Sequence, residues 1–371
     1  MDGREFNRRD FIKRAVVTGA GLALSSSLLA KLNALAQGKI YLPLILKAPE
    51  PVGPKVVHVH APSATYWNGS GYYYNAVNQS VVNTMVDRGV MELTGTTTRA
   101  DAWRTLIPNY SGGIVAIKVN FNNNGNDNII DALIHPVNAV IQGLVDIGVA
   151  TNNIVVFDAV RSIPSHFRNG CTFPGVRFYS SSDASFTVPV SFSRPGIPAQ
   201  KLASAVVDAT YLINMPIMKR HSMTGVTLGF KNHFGTINNC SALHDYVDVY
   251  AGSHYSRTYN PMVDIYLSPH IRNKTVLILG DGLFANKDNT NTVPARWQTF
   301  GNQFPNSLFF ATDPVAIDCV MYDLLNAEPW YNPDKAADYL RLAADAGLGV
   351  YEQGDPWGSG YRQIHYTKIT L

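Results

Sequence analysis

The stretch from Leu212 to Asn239 holds the densest group of residues that could do chemistry. Five basic residues lie within fifteen positions of it, with no acidic residue between them: Lys219, Arg220, His221, Lys231 and His233. Ammonium and guanidinium groups bind carboxylates and phosphates, and histidine exchanges protons near neutral pH. The composition of this stretch therefore indicates a site for a small anionic ligand.

This basic stretch could form either a solvated surface or a partly buried anion pocket. Lys219 and Lys231 could lie close together whether residues 224–233 form a helix or a glycine-flexed turn. Two ammonium groups about 5 Å apart repel by roughly 3 kcal/mol at an effective dielectric constant of 20, so water must screen them or an anion must offset them. A solvated basic surface would meet this need. The interleaved apolar residues, among them Met218 and Phe230, favour a partly buried anion pocket instead.

Polar residues also stand at the ends of three other apolar segments that we expect to be strands: Lys118, Asn120, Asp158 and Asp281. In open parallel α/β sheets, ligands bind in the crevice outside the carboxyl ends of the strands. Each residue alone could serve as a loop or capping residue, but together they predict a shared site. We expect Lys118, Lys219, His221 and Lys231 to face one cavity.

The elements that must position these residues alternate along the chain. Short β-branched segments predict strands, several of them apolar throughout, as in sheets covered on both faces: 55–60, 113–120, 153–159, 209–216, 274–282 and 307–313. Apolar residues at helical spacing, with Asp313 and Pro314 as a start signal for one segment, predict helices: 135–148, 313–326 and 333–347. This alternation predicts an α/β fold with a mainly parallel sheet flanked by helices on both faces, in a single large domain with loop insertions.

The N-terminus has the pattern of a targeting segment. Arg8 and Arg9 precede an apolar segment at residues 15–30, and a small-residue cleavage motif ends at Ala36. The pattern resembles the twin-arginine export signal. It predicts a signal peptide at residues 1–36, a proline-rich linker or N-terminal arm at 37–54 and the α/β domain at 55–371.

Several expectations about location and partners follow from this signal. The protein would be exported to the periplasm, the cell surface or the medium, with the twin-arginine machinery as a partner. It would meet the membrane only through the signal segment, if that segment is not cleaved. A formal net charge of +3 over 371 residues gives no support to nucleic-acid binding, which needs a concentrated basic face.

Metal and cofactor chemistry has weaker signals. Only three cysteines are present, far apart, so an iron–sulfur cluster is not expected. A divalent metal is a possible cofactor, since His58 and His60 point to one face of a predicted strand and could act with Asp281 or His221. The Asn-rich loop at 120–131 partly fits a calcium loop, but a polar lid fits its composition better. Cys240 has no evident base beside it, which favours a structural role.

Four segments together carry the motifs of one protein family. The sequence INMPIMKRHSMTGVTLGFKNHFGTI matches its P-x-x-K-x-H and Lys-Asn elements, and VAIKVNF matches its K-P-N segment with Val119 at the proline position. HPVNAVIQGLVDIGVATNNIVVFDA and FFATDPVAIDCVMYDLL match its helix–strand unit and its late D-P-V-A-x-D helix. In these segments the chain resembles the domain of unknown function 362 family, and the resemblance covers most of residues 115–325. Many members carry ferredoxin-type cysteines, which this chain lacks.

The resemblance adds site positions, including Asn232 and Asp318, without naming a reaction. We predict catalytic roles for His221 as acid or base, for Lys231 and for Asp281. The remaining candidates would bind the ligand: Lys118, Asn120, Asp158, Lys219, Asn232, His233 and Asp318. The function predicted is an exported enzyme acting on an anionic carboxylate or phosphate. The alternatives are a non-catalytic ligand-binding protein and a cell-surface structural protein, to which 19 tyrosines would be suited.

Overall fold

Strands in the computed structural model form where the chain has short β-branched and aromatic segments; the structure describes residues 53–122, 128–286, 293–329 and 334–371. In these residues the strands are β1 (Lys55–His60), β2 (Val115–Lys118), β3 (Ile154–Phe157), β4 (Arg177–Tyr179), β5 (Phe186–Pro189), β6 (Lys201–Ala203), β7 (Tyr211–Asn214), β8 (Lys219–His221), β9 (Gly225–Thr227), β10 (Thr275–Gly282), β11 (Ser307–Ala311) and β12 (His365–Thr370). The strand predictions from the sequence are confirmed for β1, β2, β3, β7, β10 and β11.

Eight of these strands build one sheet in the order β12-β1-β11-β10-β7-β2-β3-β4. Its pairings are parallel except on the two sides of β11, which runs antiparallel to β1 and to β10. In the register of the sheet, Lys118 of β2 stands beside Asn214 of β7 and Phe157 of β3. The carboxyl ends of these three neighbouring strands therefore meet at one edge. The β5–β6 and β8–β9 pairs form two separate small sheets.

The helices that the structure describes are α1 (Gln79–Thr94), α2 (Arg99–Leu106), α3 (Ile134–Asp146), α4 (Ser165–Asn169), α5 (Ser204–Val207), α6 (Gly229–Asn232), α7 (His244–Val247), α8 (Pro261–Leu267), α9 (Pro269–Arg272), α10 (Pro314–Asn326) and α11 (Asp338–Asp345). Asp313 caps α10, since its Oδ1 accepts hydrogen bonds from the backbone N–H groups of Val315 at 2.9 Å and Ala316 at 2.8 Å. The start signal at Asp313 and Pro314 is thus confirmed, and α3 and α11 confirm the other two predicted helices.

Apolar side chains form a core on each face of the large sheet. Along β2, Val115 and Ile117 join the core that contains α1, α2 and α3, whereas Ala116 joins the core that contains α8, α10 and α11. This alternation follows from the two-residue period of a strand. The predicted α/β class, a mainly parallel sheet covered by helices on both faces, is confirmed.

One segment of the chain differs from its prediction, and the predicted N-terminal segments lie mostly outside the described residues. Residues 224–233 form neither one helix nor a simple turn, because Gly225–Thr227 pairs with β8 and the short helix α6 follows. The predicted signal peptide and most of the predicted linker lie outside the described residues. Glu50–Leu371 makes one compact unit. Among the described helices, none has the length and apolar composition needed to cross a membrane.

Candidate functional site

A cavity of about 260 Å³ opens at the sheet edge where β2 and β3 end. One part of its wall follows these strands and includes Asn120 and Asp158. The other part comes from the segment between His221 and His244, which follows β7 and folds back over the edge. The carboxyl ends of the parallel strands thus contribute to a single cavity, in the place where α/β proteins bind ligands.

A buried ion pair lies at the base of this cavity. The Lys118 Nζ is 3.2 Å from the Asp158 Oδ2 and 3.0 Å from the Asn232 Oδ1, and it also donates to the backbone oxygen of Val119. Burial lowers the pKa of Lys118, and the Asp158 carboxylate acts in the opposite direction. The charge of Asp158, the carboxylate in the cavity lining, is therefore already compensated.

Close approach of the backbone keeps this ion pair in place. A Cβ atom added to Gly235, which lines the cavity, would lie 2.5 Å from the Lys118 Nζ and 2.9 Å from the Asp158 Oδ1. The Gly235 carbonyl also accepts a hydrogen bond from the Ala159 N–H at 2.8 Å. The absence of a side chain at Gly235 thus lets the segment after α6 pack directly on the ion pair.

Two cations line the cavity without a carboxylate partner in the described residues. The Lys231 Nζ lies 3.9 Å from the centroid of the Phe234 ring, and Arg161 is an exposed guanidinium on the loop after β3. Burial lowers the pKa of Lys231 to about 8; a thiolate at Cys240 would raise it, and the nearby cations Lys118, Arg161 and Lys219 lower it. The cavity therefore carries a net positive charge.

His221 lines this cavity, and its hydrogen bonds define the tautomer of its ring. Its Nδ1 accepts hydrogen bonds from the backbone N–H groups of Met223 at 3.1 Å and Thr224 at 3.3 Å. An imidazole nitrogen that accepts carries no proton, so the proton of the neutral ring lies on Nε2. Gly225 makes the tight turn after His221 possible, because its φ of 75° is in the left-handed region.

The electrostatic surroundings also keep His221 neutral. Burial lowers its pKa well below the ordinary value, and Lys231, Lys219 and His244 act in the same direction. The Nε2–H has no acceptor among the described residues and is available as a hydrogen-bond donor to a ligand. A neutral donor stabilises developing negative charge on an oxygen atom, as in an oxyanion hole.

Polar atoms in the cavity wall also lack partners. The Thr227 Oγ1 and the Asn120 Oδ1 are buried and have no hydrogen-bond partner within the described ranges. Leaving a buried polar atom unpaired costs about 1–3 kcal/mol, so such atoms commonly contact a ligand or water. His244 is half-buried and stacks on Phe234 with 6.3 Å between ring centroids. Burial, followed by Lys231 and Arg161, lowers the pKa of His244.

The structure separates the predicted site residues into those that line the cavity and those that do not. Asn120, Asp158, His221 and Lys231 line it. The prediction that Lys118 and Lys219 face the cavity as well is wrong. Lys118 lies beneath the lining, as described above. Lys219 is fully buried, and its Nζ donates to the backbone oxygen of Ile130 at 3.0 Å. Burial lowers its pKa to about 8, opposed by Asp131.

Asp281 is buried in β10 and lies outside the cavity lining, contrary to the shared site predicted for it. Its Oδ1 accepts a hydrogen bond from the Leu283 N–H at 3.0 Å, and its backbone pairs with the segment that leaves β7. Burial raises its pKa to about 7, although hydrogen bonds from the backbone N–H groups of Leu283 and Leu133 act in the opposite direction. These contacts give it a role in holding strand and loop together.

Asn232 and Asp318 also lie outside the lining, but both hold the segment that carries Lys231. Asp318 of α10 accepts hydrogen bonds at the start of α6, from Gly229 N at 2.8 Å and Phe230 N at 3.2 Å, and from the Tyr339 hydroxyl at 3.0 Å. The Asn232 Nδ2 donates to the Asn214 Oδ1 at 2.7 Å. They position the Lys231 backbone and do not contact the cavity.

His233 points away from the cavity into the core. It is fully buried against Tyr266, with 5.2 Å between ring centroids, and neither ring nitrogen has a hydrogen-bond partner in the described part of the chain. Burial, with a smaller effect of Lys118, lowers its pKa to about 3. The predicted ligand contact is therefore not present, because consecutive residues of a helical turn point in different directions.

The residues that the structure describes form no metal site, since no group of three or more His, Cys, Asp or Glu side chains among them could hold an ion. His58 is buried in β1, where it bonds to the Tyr366 hydroxyl at 2.7 Å and the Ser307 hydroxyl at 2.8 Å. The middle of the Asn-rich loop, residues 123–127, lies outside the described residues.

Arg161 and Thr227 are cavity residues that the sequence reasoning missed. Arg161 stands three positions after Asp158, so a basic residue just beyond a strand end was the available signal. Thr227 had no signal, because a threonine in a strand is ordinary. Cys240 was considered in the sequence, but nothing there placed Cys240 and His244 in one cavity with Lys231.

Two solved structures are similar to parts of this chain. The structure of lactate racemase apoprotein from Thermoanaerobacterium thermosaccharolyticum is similar, with 13% identity and a TM-score of 0.38, over 75% of this chain and 58% of that chain. A structural-genomics protein from Thermotoga maritima shows 12% identity and a TM-score of 0.33, over 59% of this chain and 53% of its own. The chain thus spans less than two thirds of either protein.

No curated protein matches the chain. The family model described as "Domain of unknown function (DUF362)" matches residues 115–323, a range that contains β2, the cavity and α10 up to Asp323. Because this match covers more than half of the chain, the protein belongs to the DUF362 family.

Proposed function

We propose that the protein is an enzyme that binds a small carboxylate or phosphate anion in the cavity at the ends of β2 and β3. The observation that carries this proposal is the charge arrangement. Asp158, a carboxylate in the lining, is paired with Lys118, whereas Lys231 and Arg161 have no anionic partner in the described residues. A bound anion would compensate these charges and accept hydrogen bonds from them.

The cavity groups supply more than binding. The Nε2–H of neutral His221 would donate to an oxygen atom that gains negative charge during the reaction. His244 is the half-buried imidazole without a backbone partner, so it suits proton transfer better than His221 does. The acid or base role expected at His221 is thereby reassigned to His244, and His221 is given the role of hydrogen-bond donor.

The alternative to an enzyme is a binding protein that uses the same cavity for capture. The unpaired cations serve either function, but a neutral donor and a separate titratable imidazole in one cavity favour catalysis. Tyrosine content gives the structural alternative little support, because among the described tyrosines only Tyr66, Tyr72 and Tyr250 are exposed. We retain the enzyme as the proposed function.

A thermal-shift screen followed by product analysis tests this function. The full-length protein is heated with inorganic phosphate, oxalate and a panel of small carboxylates and organophosphates at pH 7. Ligands that raise the melting temperature are then incubated with the protein, and products are identified by mass spectrometry. Stabilisation with turnover supports the enzyme, stabilisation without turnover for every hit supports a binding protein, and no stabilisation by any anion contradicts both.

We also propose export by the twin-arginine route, supported by Arg8 and Arg9 and the apolar segment after them. Cell fractionation of the full-length protein tests this proposal. Replacement of both arginines by lysine should retain the protein in the cytoplasm, and an unchanged distribution would contradict it. Lysine keeps the charge, so a change would report recognition of the arginine side chains.

A further inference from the structure

Cys240 lies in the wall of the cavity, which also includes the imidazole of His244. It is a half-buried free thiol at the start of a 3-10 helix, Cys240–Leu243, that continues directly into α7 at His244. Both Cys240 and His244 line the cavity, so the thiol and the imidazole face the same space.

A second, independent feature indicates that a ligand occupies this space. Thr227 is 2% exposed and lines the same cavity, yet its Oγ1 has no hydrogen-bond partner within the described residues. Two cations, Lys231 and Lys118, are within electrostatic reach of the Cys240 sulfur. Burial lowers the pKa of both lysines, and a thiolate at Cys240 would raise both pKa values. A thiol, an imidazole, an oxyanion donor and an anion site thus surround one cavity.

We propose that Cys240 is the nucleophile of this cavity and that its substrate is a small ester or thioester that carries a carboxylate or phosphate group. The inference deepens the proposed function and rests on it. Lys231 and Arg161 would hold the anionic group, and His221 would donate from Nε2 to the carbonyl oxygen under attack.

The reaction needs only water as co-reactant. His244 takes the thiol proton, the Cys240 sulfur forms a bond to the carbonyl carbon, and the π electrons move to the oxygen that His221 holds. The oxyanion then reforms the carbonyl, and the bond to the leaving alkoxide or thiolate breaks as that group takes the proton from His244. Water attacks the resulting thioester in the same way, giving the free acid and restoring the thiol.

Competing alkylation of two cysteines in one molecule tests the placement of this nucleophile. Cys171 is a matched control because it is also a partly exposed free thiol, but it lies outside the cavity lining. The full-length protein is treated with iodoacetate, an anion, and in parallel with iodoacetamide, which is neutral, and labelling is quantified by peptide mass spectrometry. The ratio of the two rates should be about tenfold or more higher at Cys240 than at Cys171, and inorganic phosphate should slow labelling at Cys240 alone. Equal ratios would overturn the proposal.

An ester probe tests the covalent step. The 4-nitrophenyl monoester of succinic acid should give a burst of nitrophenolate equal to the protein concentration, with the succinyl group on Cys240, and 4-nitrophenyl acetate should give none. Absence of the burst, or its persistence in Cys240→Ala, would overturn the nucleophile. Calorimetry with inorganic phosphate on the same samples separates the two claims: phosphate binding without a burst refutes the nucleophile alone, whereas no phosphate binding refutes the anion site.

Discussion

Removal of Lys118 should weaken both the fold and the anion site, because it leaves Asp158 without its counter-charge. In Lys118→Met the buried Asp158 carboxylate keeps its two backbone donors, Phe121 N at 3.3 Å and Val160 N at 3.1 Å, but loses the ammonium at 3.2 Å. Breaking a buried pair from one side costs about 3–5 kcal/mol. The remaining donors favour the lower end, about 3 kcal/mol of unfolding free energy.

The same change should weaken anion binding. An uncompensated Asp158 in the cavity lining repels a bound anion, and at about 6 Å and an effective dielectric constant of 20 this repulsion approaches 3 kcal/mol before screening by solvent. Partial screening leaves an expected loss of roughly tenfold or more in affinity. The double variant Lys118→Met/Asp158→Asn removes both charges, so it should recover most of the stability and most of the affinity.

Urea denaturation and phosphate calorimetry on the two single variants and the double variant complete a double-mutant cycle. The expected coupling between Lys118 and Asp158 is about 2–3 kcal/mol in stability, with the anion affinity of the double variant within a few fold of the wild type. Additive losses of stability, or an affinity that is unchanged in Lys118→Met, would refute the assignment of Lys118 as the neutralising partner of Asp158.

Three further predictions concern the segment around Lys231. Phosphate affinity should fall as pH rises through about 8, because the Lys231 ammonium loses its proton there. Calorimetry between pH 6.5 and 9.5 should show a much smaller change in affinity for Lys231→Met. Gly235→Ala should lower the unfolding free energy by about 2–4 kcal/mol in urea, because its Cβ would overlap the Lys118 Nζ. Asp318→Asn should lower the unfolding free energy by about 1–3 kcal/mol, because the backbone N–H groups at the start of α6 lose an acceptor. It should also weaken phosphate binding, and an unchanged phosphate affinity would contradict the positioning role of Asp318.

Elements with strong local signals were predictable from the sequence. Asp313 and Pro314 fixed the start of α10, and the apolar segments at 154–157 and 275–282 are buried strands of the sheet. The rule that ligands bind at strand carboxyl ends placed Asn120 and Asp158 at the cavity correctly. These outcomes depend on backbone propensity and on topology, which local sequence patterns reflect.

The directions of individual side chains were not predictable in the same way. Lys118 and Lys231 are both lysines near strand ends, yet one is buried in an ion pair and the other faces the cavity without an anionic partner in the described residues. That difference depends on where Asp158, forty positions away from Lys118, comes to lie. Cys240 and His244 likewise line one cavity because of the way the chain folds after β7, which no local sequence pattern specifies.

Calorimetric titration with inorganic phosphate at pH 7 tests the central claim, an anion site built on Lys231, most directly. Lys231→Met is compared with Lys201→Met, which removes the same charge from an exposed residue outside the cavity lining. The structure predicts one phosphate per wild-type chain, a loss of about tenfold or more in affinity for Lys231→Met and no change for Lys201→Met. Equal affinities for the two variants, or no binding by the wild type, would contradict it.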